Sequence, residues 1–218
     1  GYESETIALK DGKLVFTNNG FSVDYQGPTA PMVDKYYISP AGHKIHFAYP
    51  DKHPIIIKFN KGLLLKGILE QCRRLGVDFL GGTTSTSVRD NESGVEVQIK
   101  TRASAGAVQA KKLIAADGAN ATLAEQLGLN KERTYFATAL GIIYTVEGLK
   151  DFTPSAWKSY YGLAYQSRSP VMISASLFGE KCATLVVIGN QNDPPESIYQ
   201  RVTTQSPLAY MFEGTRVV

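Results

Sequence analysis

The sequence predicts an α+β protein: antiparallel and mixed sheet with packed helices. Three observations lead there. Short β-type segments cut by turn formers fill most of the 218 residues. Asp11-Gly12 and Asn19-Gly20 are hairpin signals, because both residue types accept the positive φ that tight β turns require. One apolar pattern after Phe59 recurs at helical spacing.

In order, TIALK, LVF and FSVDY read as strands divided by DGK and TNNG. A proline-rich connector, QGPTAP, leads to KYYIS, a turn at PAGH, and KIHFAYP, where Ile45, Phe47 and Tyr49 alternate with His46 and Ala48. The helix comes next. Asn60 can cap it, Phe59 and Leu64 occupy staple positions, and Leu64, Ile68, Cys72 and Leu75, with Leu65 and Leu69, form its apolar face. Gly76 ends it, with Val77 placed to fold back on Cys72. VDFLGG and TTSTSVRD, a turn at NESG, and the alternating VEVQIKT make a second strand group. ASAGAVQA reads as a loop of small residues, and LIAAD as a short strand before a helix closed by Gly128 with Leu129 in the contact position. TYFATALGIIYTVEG is one β run, and KSYYGLAYQ, VMISASLF and ATLVVIG are further strands. PPESIYQRVTTQ starts a helix with proline ahead of its first turn, and EGTRVV reads as an unfolded finish.

Composition narrows the function classes. A hydrophobic share of 43% suits a globular protein with a substantial core. No run approaches the roughly 18–20 apolar residues of a transmembrane segment, and GYESETIALK has no signal-peptide core, so a cytoplasmic protein is expected. The net charge of +3 is spread along the chain and gives no footprint for nucleic acid. The expected partner is a small-molecule substrate, and the sequence carries no signal for an oligomeric state. Cys72 and Cys182 lie far apart and are expected as buried free thiols in a reducing compartment. His43, His46 and His53 cluster, but residues three apart on a strand point to opposite faces and no Cys or paired acid completes a set, so no metal is expected.

The stretch KKLIAADGANATLAEQLGL breaks an apolar run on an acid and a glycine and restarts as a helix. Taken locally it is a cap, Asp117 or Asn120 satisfying free backbone N–H groups. Its upstream neighbours change the reading. Lys58 is followed at the seventh position by Leu65, then come Gly76-Val77-Asp78, the run from Gly82 to Val88, and LIAADGAN.

That order resembles the flavoprotein oxidoreductases built like p-hydroxybenzoate hydroxylase, and is most similar to their geranylgeranyl reductase branch. In that family a basic residue opens an R-x-x-x-D-x-x-L helix, a G-V/A-x-x-x-x-x-T-x-V strand follows, and an A-D-G-A-N motif ends the stretch. Here Lys58 stands for arginine, Gly62 for aspartate and Ser85 for valine, while Ala121 and Ala124 replace a serine and an arginine. Ala116, Asp117, Gly118 and Asn120 are the matched core. The resemblance implies an FAD-dependent oxidoreductase, reductase or monooxygenase, acting on a hydrophobic or aromatic small molecule, with NAD(P)H a candidate reductant. Lys58, Ser85, Ala116, Asp117, Gly118 and Asn120 would lie along the cofactor. A looser match to the family's Y-x-W-x-F-P motif makes Tyr160, Tyr161 and Tyr165, with Tyr144 and Met172 on the same sheet, candidates for a substrate pocket; no catalytic acid or base is named.

No two glycines are separated by a single residue, so the family's G-x-G-x-x-G turn is absent, as is its later glycine-aspartate motif. The expectation is a central fragment of a longer flavoprotein: a partial FAD-binding region over 55–130, with 1–54 and 131–218 mainly substrate-domain sheet. On that reading the fragment alone is inactive and binds FAD weakly or not at all. The competing reading is a non-enzymatic sheet domain that binds an apolar ligand or a partner protein.

Overall fold

In the computed structural model, residues 6–118, 121–134 and 138–218 are described. The chain divides into two units, one formed by Gly1–Arg74 with Thr138–Val218 and the other by Leu75–Ala137.

The first unit begins with a meander of β1 (Ile7–Lys10), β2 (Lys13–Phe16) and β3 (Phe21–Asp24), whose two turns fall at the Asp-Gly and Asn-Gly signals. Helix α1 (Lys61–Arg74) packs on it and buries Leu64 against Leu14, Val23 and Tyr25. Asn60 caps the helix through its Oδ1, which accepts from the Leu63 N–H at 3.1 Å. The staple partner Phe59 and Ile68 join this cluster, whereas Leu65 and Leu75 are exposed and Cys72 is only half-buried. The apolar face of α1 is therefore narrower than its sequence pattern. Gly76 does take the left-handed conformation at the helix end, but Val77 is exposed.

The main sheet of this unit has seven strands in the order β15-β11-β14-β13-β12-β5-β6. They are β5 (Asp34–Ile38), β6 (Lys44–Phe47), β11 (Leu140–Glu147), β12 (Ala156–Tyr160), β13 (Val171–Ala175), β14 (Cys182–Gly189) and β15 (Arg216–Val217). Its pairs are antiparallel except β12 with β5, which run parallel and are joined by a long stretch of chain. One face packs under α3 (Pro195–Gln205): Val171 and Ile173 meet Leu185 and Val187, covered by Ile198 and Val202. Each fully buried aliphatic side chain there stabilises the fold by about 1.5–3 kcal/mol. A smaller ribbon pairs β4 (Thr29–Met32) with β7 (Ile56–Phe59).

The second unit holds an antiparallel sheet of β8 (Thr84–Asn91), β9 (Gly94–Lys100) and β10 (Ala105–Ala110), and the short helix α2 (Thr122–Gln126). α2 ends in a Schellman arrangement, the Leu129 N–H bonding to the Ala124 carbonyl and the Gly128 N–H to that of Glu125, with Gly128 at φ +70°. Leu129 itself stays exposed.

Five expectations are corrected. The QGPTAP connector contains β4, and the small-residue run contains β10. LIAAD forms no strand, and Ile114 within it is exposed. The C-terminal EGTRVV is not unfolded: β15 pairs with β11. The strand expected over KSYYGLAYQ stops at Tyr160, and Leu163–Tyr165 is a turn of 3-10 helix. α1 packs with the meander and so falls in the first unit. No helix among the described residues is long and apolar enough to cross a membrane.

Candidate functional site

The acid-glycine turn lies in the second unit. Asp117 Oδ2 accepts from the Leu123 N–H at 2.7 Å, so the carboxylate holds the start of α2. Ala121, at the N-cap position, is left-handed at φ 39°, which places the burden of capping on Asp117. Gly118 follows with φ +76° and no contact among the described residues within 4 Å of where a Cβ would stand. Ala116 precedes it on exposed, irregular chain, and Asn120 lies outside the described residues. Ser85 sits on β8 opposite Ile99, beside a register shift between Ser85 and Ser87, and Gln126 of α2 donates to the Thr86 carbonyl at 2.9 Å. Strand, turn and helix of this unit are thus tied together at the motif.

Lys58 belongs to the first unit, on β7. Its Nζ donates to the Ala175 carbonyl at 2.6 Å and stands 5.9 Å from the centre of the Trp157 ring. Burial alone pushes its ammonium down to about 8. The same carbonyl accepts from Thr184 Oγ1 at 3.1 Å and lines a hollow of about 350 Å³ with Thr29, Ala30, Ser176 and Glu180.

Strand parity sorts the five residues expected in one substrate pocket onto two faces of the main sheet. Tyr144 and Tyr160 point to the face packed under α3, where Tyr144 stacks on Tyr199 with ring centres 4.0 Å apart. Tyr165 packs edge-on against Tyr160 and donates to the Ser39 carbonyl at 2.7 Å. Burial raises the hydroxyl pKa of all three, and in Tyr144 and Tyr160 nearby acidic groups add to it. The expectation of one common lining is corrected accordingly: Met172 lies on the opposite face, and Tyr161 is 5.6 Å from Tyr37, which shares that face.

That opposite face has features the sequence reading missed. Trp157 and Ser159 lie on it, linked by a 2.9 Å bond from the indole N–H to the Ser159 hydroxyl. Ser174 is buried there, and its Oγ has no hydrogen-bond partner among the described residues. Towards one edge Phe47 and Tyr37 pack edge-on, and Lys35 lies over the Tyr37 ring at 5.1 Å. Ile45 on that edge and Ile143 on the other side are 62% and 69% exposed. Alternation along VMISA and AWKSY carried this signal, since it separates Met172 and Ser174 from Val171 and Ile173, and Trp157 from Lys158.

Solved structures share this fold. A geranylgeranyl bacteriochlorophyll reductase-like protein from Thermoplasma acidophilum superposes with a TM-score of 0.66 at 15% identity, over 86% of this chain and 48% of that one. A flavoprotein/dehydrogenase from Cytophaga hutchinsonii gives 0.65 at 11%, over 87% and 48%. The p-nitrophenol 4-monooxygenase of Pseudomonas putida gives 0.63 at 12%, over 88% and 50%. At these identities the likeness is one of fold, and the chain spans about half the length of each. No curated protein matches the sequence. A family model described as FAD binding domain matches residues 23–209, which takes in β4 to α3 and both units, and the chain belongs to that family.

Proposed function

We propose that the protein carrying this chain is an FAD-dependent oxidoreductase that acts on a hydrophobic or aromatic small molecule. The observation that carries the reading is the family match over residues 23–209. The turn at Asp117 fits a nucleotide in two respects: its carboxylate is already fixed by the Leu123 N–H, and the backbone at Gly118 is unobstructed by the described residues. Bound FAD would supply hydride or electron transfer, and the protein supplies orientation and a dry site.

In this reading Asp117, Gly118, Ala116, Asn120 and Ser85 hold the cofactor, and Lys58 brings positive charge toward its polar half. The face carrying Met172, Trp157, Tyr37 and Tyr161 receives the substrate; its exposed apolar and aromatic side chains favour an apolar body over a charged one. NAD(P)H is the proposed reductant. Mixing FAD-loaded full-length protein with NADPH or NADH and a panel of hydrophobic and aromatic compounds tests it. Substrate-stimulated oxidation of the nicotinamide is expected, weakened by Trp157→Ala; a cofactor-loaded protein that never oxidises either nicotinamide contradicts that choice of reductant. The other reading, a non-enzymatic domain binding an apolar ligand or a partner protein, is favoured instead if the protein takes up no FAD at all.

A further inference from the structure

α3 lies over β14 and β11, while on the same face Ile38 of β5 and Tyr160 of β12 are covered by Tyr165 and by the chain from Leu208 to Phe212. A hollow of about 470 Å³ remains there, bounded by the chain around Asp151 and around Leu208. That volume falls among the roughly 300–1,000 Å³ of small-molecule sites. Ile38, Leu208 and Met211 make part of its wall apolar.

Its polar groups are only partly used. Tyr160 is 6% exposed, and its hydroxyl has no hydrogen-bond partner among the described residues, although Tyr165 beside it has one. That hydroxyl is not sealed in, because Ser174 Oγ is the one fully buried side-chain polar atom without a partner among the described residues; it opens to the hollow that Tyr160 lines and can donate to a bound group. The Asp151 carboxylate accepts from the Tyr210 hydroxyl at 3.0 Å, and Lys158 Nζ reaches only the Asp151 backbone carbonyl, at 3.2 Å. Burial, then the neighbouring Lys44 ammonium, disfavours the charged form of Lys158, while Asp151 favours it. Two ammonium groups therefore face one carboxylate, and the hollow has a positive balance. No arginine is among the described residues that line it, which sets it apart from phosphate sites clamped by guanidinium groups.

We propose that this hollow binds a small amphipathic carboxylate, its acid group between the Tyr160 hydroxyl and the ammonium groups of Lys158 and Lys44, its apolar body on Ile38, Leu208 and Met211. The site is on the sheet face opposite Met172 and Trp157, so it does not rest on the flavin reading. The three methionines report on it separately, because Met211 lines the hollow, Met172 lies on the other face and Met32 is fully buried.

The test is a titration of the 218-residue chain, labelled at the methionine methyls, with sodium cinnamate, and with cinnamyl alcohol as the uncharged control. The Met211 resonance, assigned with Met211→Leu, is expected to shift saturably with the acid and not with the alcohol, while Met172 and Met32 stay put. Tyr160→Phe, which keeps the ring packed on Tyr165, and Lys158→Gln are each expected to weaken binding at least about tenfold. Thermal melts establish that both variants are folded. The proposal is overturned if cinnamate moves Met172 instead, if acid and alcohol act alike, if both folded variants bind as the parent does, or if no methyl responds.

Discussion

Lys58 is the residue on which burial and charge conflict most directly. The unfolded chain keeps its proton up to the ordinary value near 10.5, the folded chain only up to about 8. Between those values the unfolded state binds more protons, so raising the pH through that window adds stability to the native protein. Lys58→Met removes this dependence and leaves the Ala175 carbonyl its second donor, Thr184. Urea melts at about pH 7 and about pH 10 are expected to show the variant within about 1 kcal/mol of wild type at the lower pH and relatively weaker at the higher one. A gap that does not move with pH would mean that the ammonium is not desolvated. Ser174 offers a simpler case. Its buried hydroxyl has no partner among the described residues, so Ser174→Ala is expected to leave stability unchanged or raise it by up to about 1 kcal/mol in the same melts. At Asp117, asparagine can still accept from the Leu123 N–H whereas alanine cannot. Asp117→Ala is therefore expected to lower stability by about 0.5–2 kcal/mol and Asp117→Asn by much less. In the full-length protein Asp117→Ala is also expected to reduce FAD retention on gel filtration more than Tyr161→Phe; equal retention would count against a cofactor role for Asp117.

Among the elements, α1 shows how closely packing sets the sequence. A Cβ on Gly67 would come within 2.5 Å of the Asp24 carbonyl and 2.8 Å of Val23 Cγ1, so glycine lets the helix lie directly on β3. Gly67→Ala is expected to push the helix away and lower the melting midpoint, whereas Gly62→Ala, which meets only the Asn60 side chain at 3.2 Å, is expected to be mild. The cap and staple of α1 were legible because they are local contacts between residues near in sequence. β4 was hidden by Pro31, since proline is ordinarily read as ending a strand, yet a two-stranded ribbon has a free edge that admits it. β10 was hidden by its alanines and glycine, which carry little β signal of their own; its ladder with β9 supplies the order. LIAAD showed the reverse: a short apolar run without a pairing partner among the described residues gives no strand.

At the scale of the whole molecule, the family was legible in the order of weak motifs from Lys58 to Asn120, and the match over residues 23–209 bears it out. The proposed substrate face was less legible. Aromatic content drew attention to Tyr144, Tyr160 and Tyr165, which the register turns into the packed core, while Trp157 and Ser174 were passed over because parity acquires meaning only once one face is known to lie under α3. The function proposed here stands or falls with the cofactor. The most direct measurement is the visible absorption spectrum of the natural full-length protein, purified, incubated with FAD and freed of unbound flavin. The account expects the two visible bands of bound oxidised flavin at close to one equivalent per chain; a folded, colourless protein that ignores added FAD would contradict it.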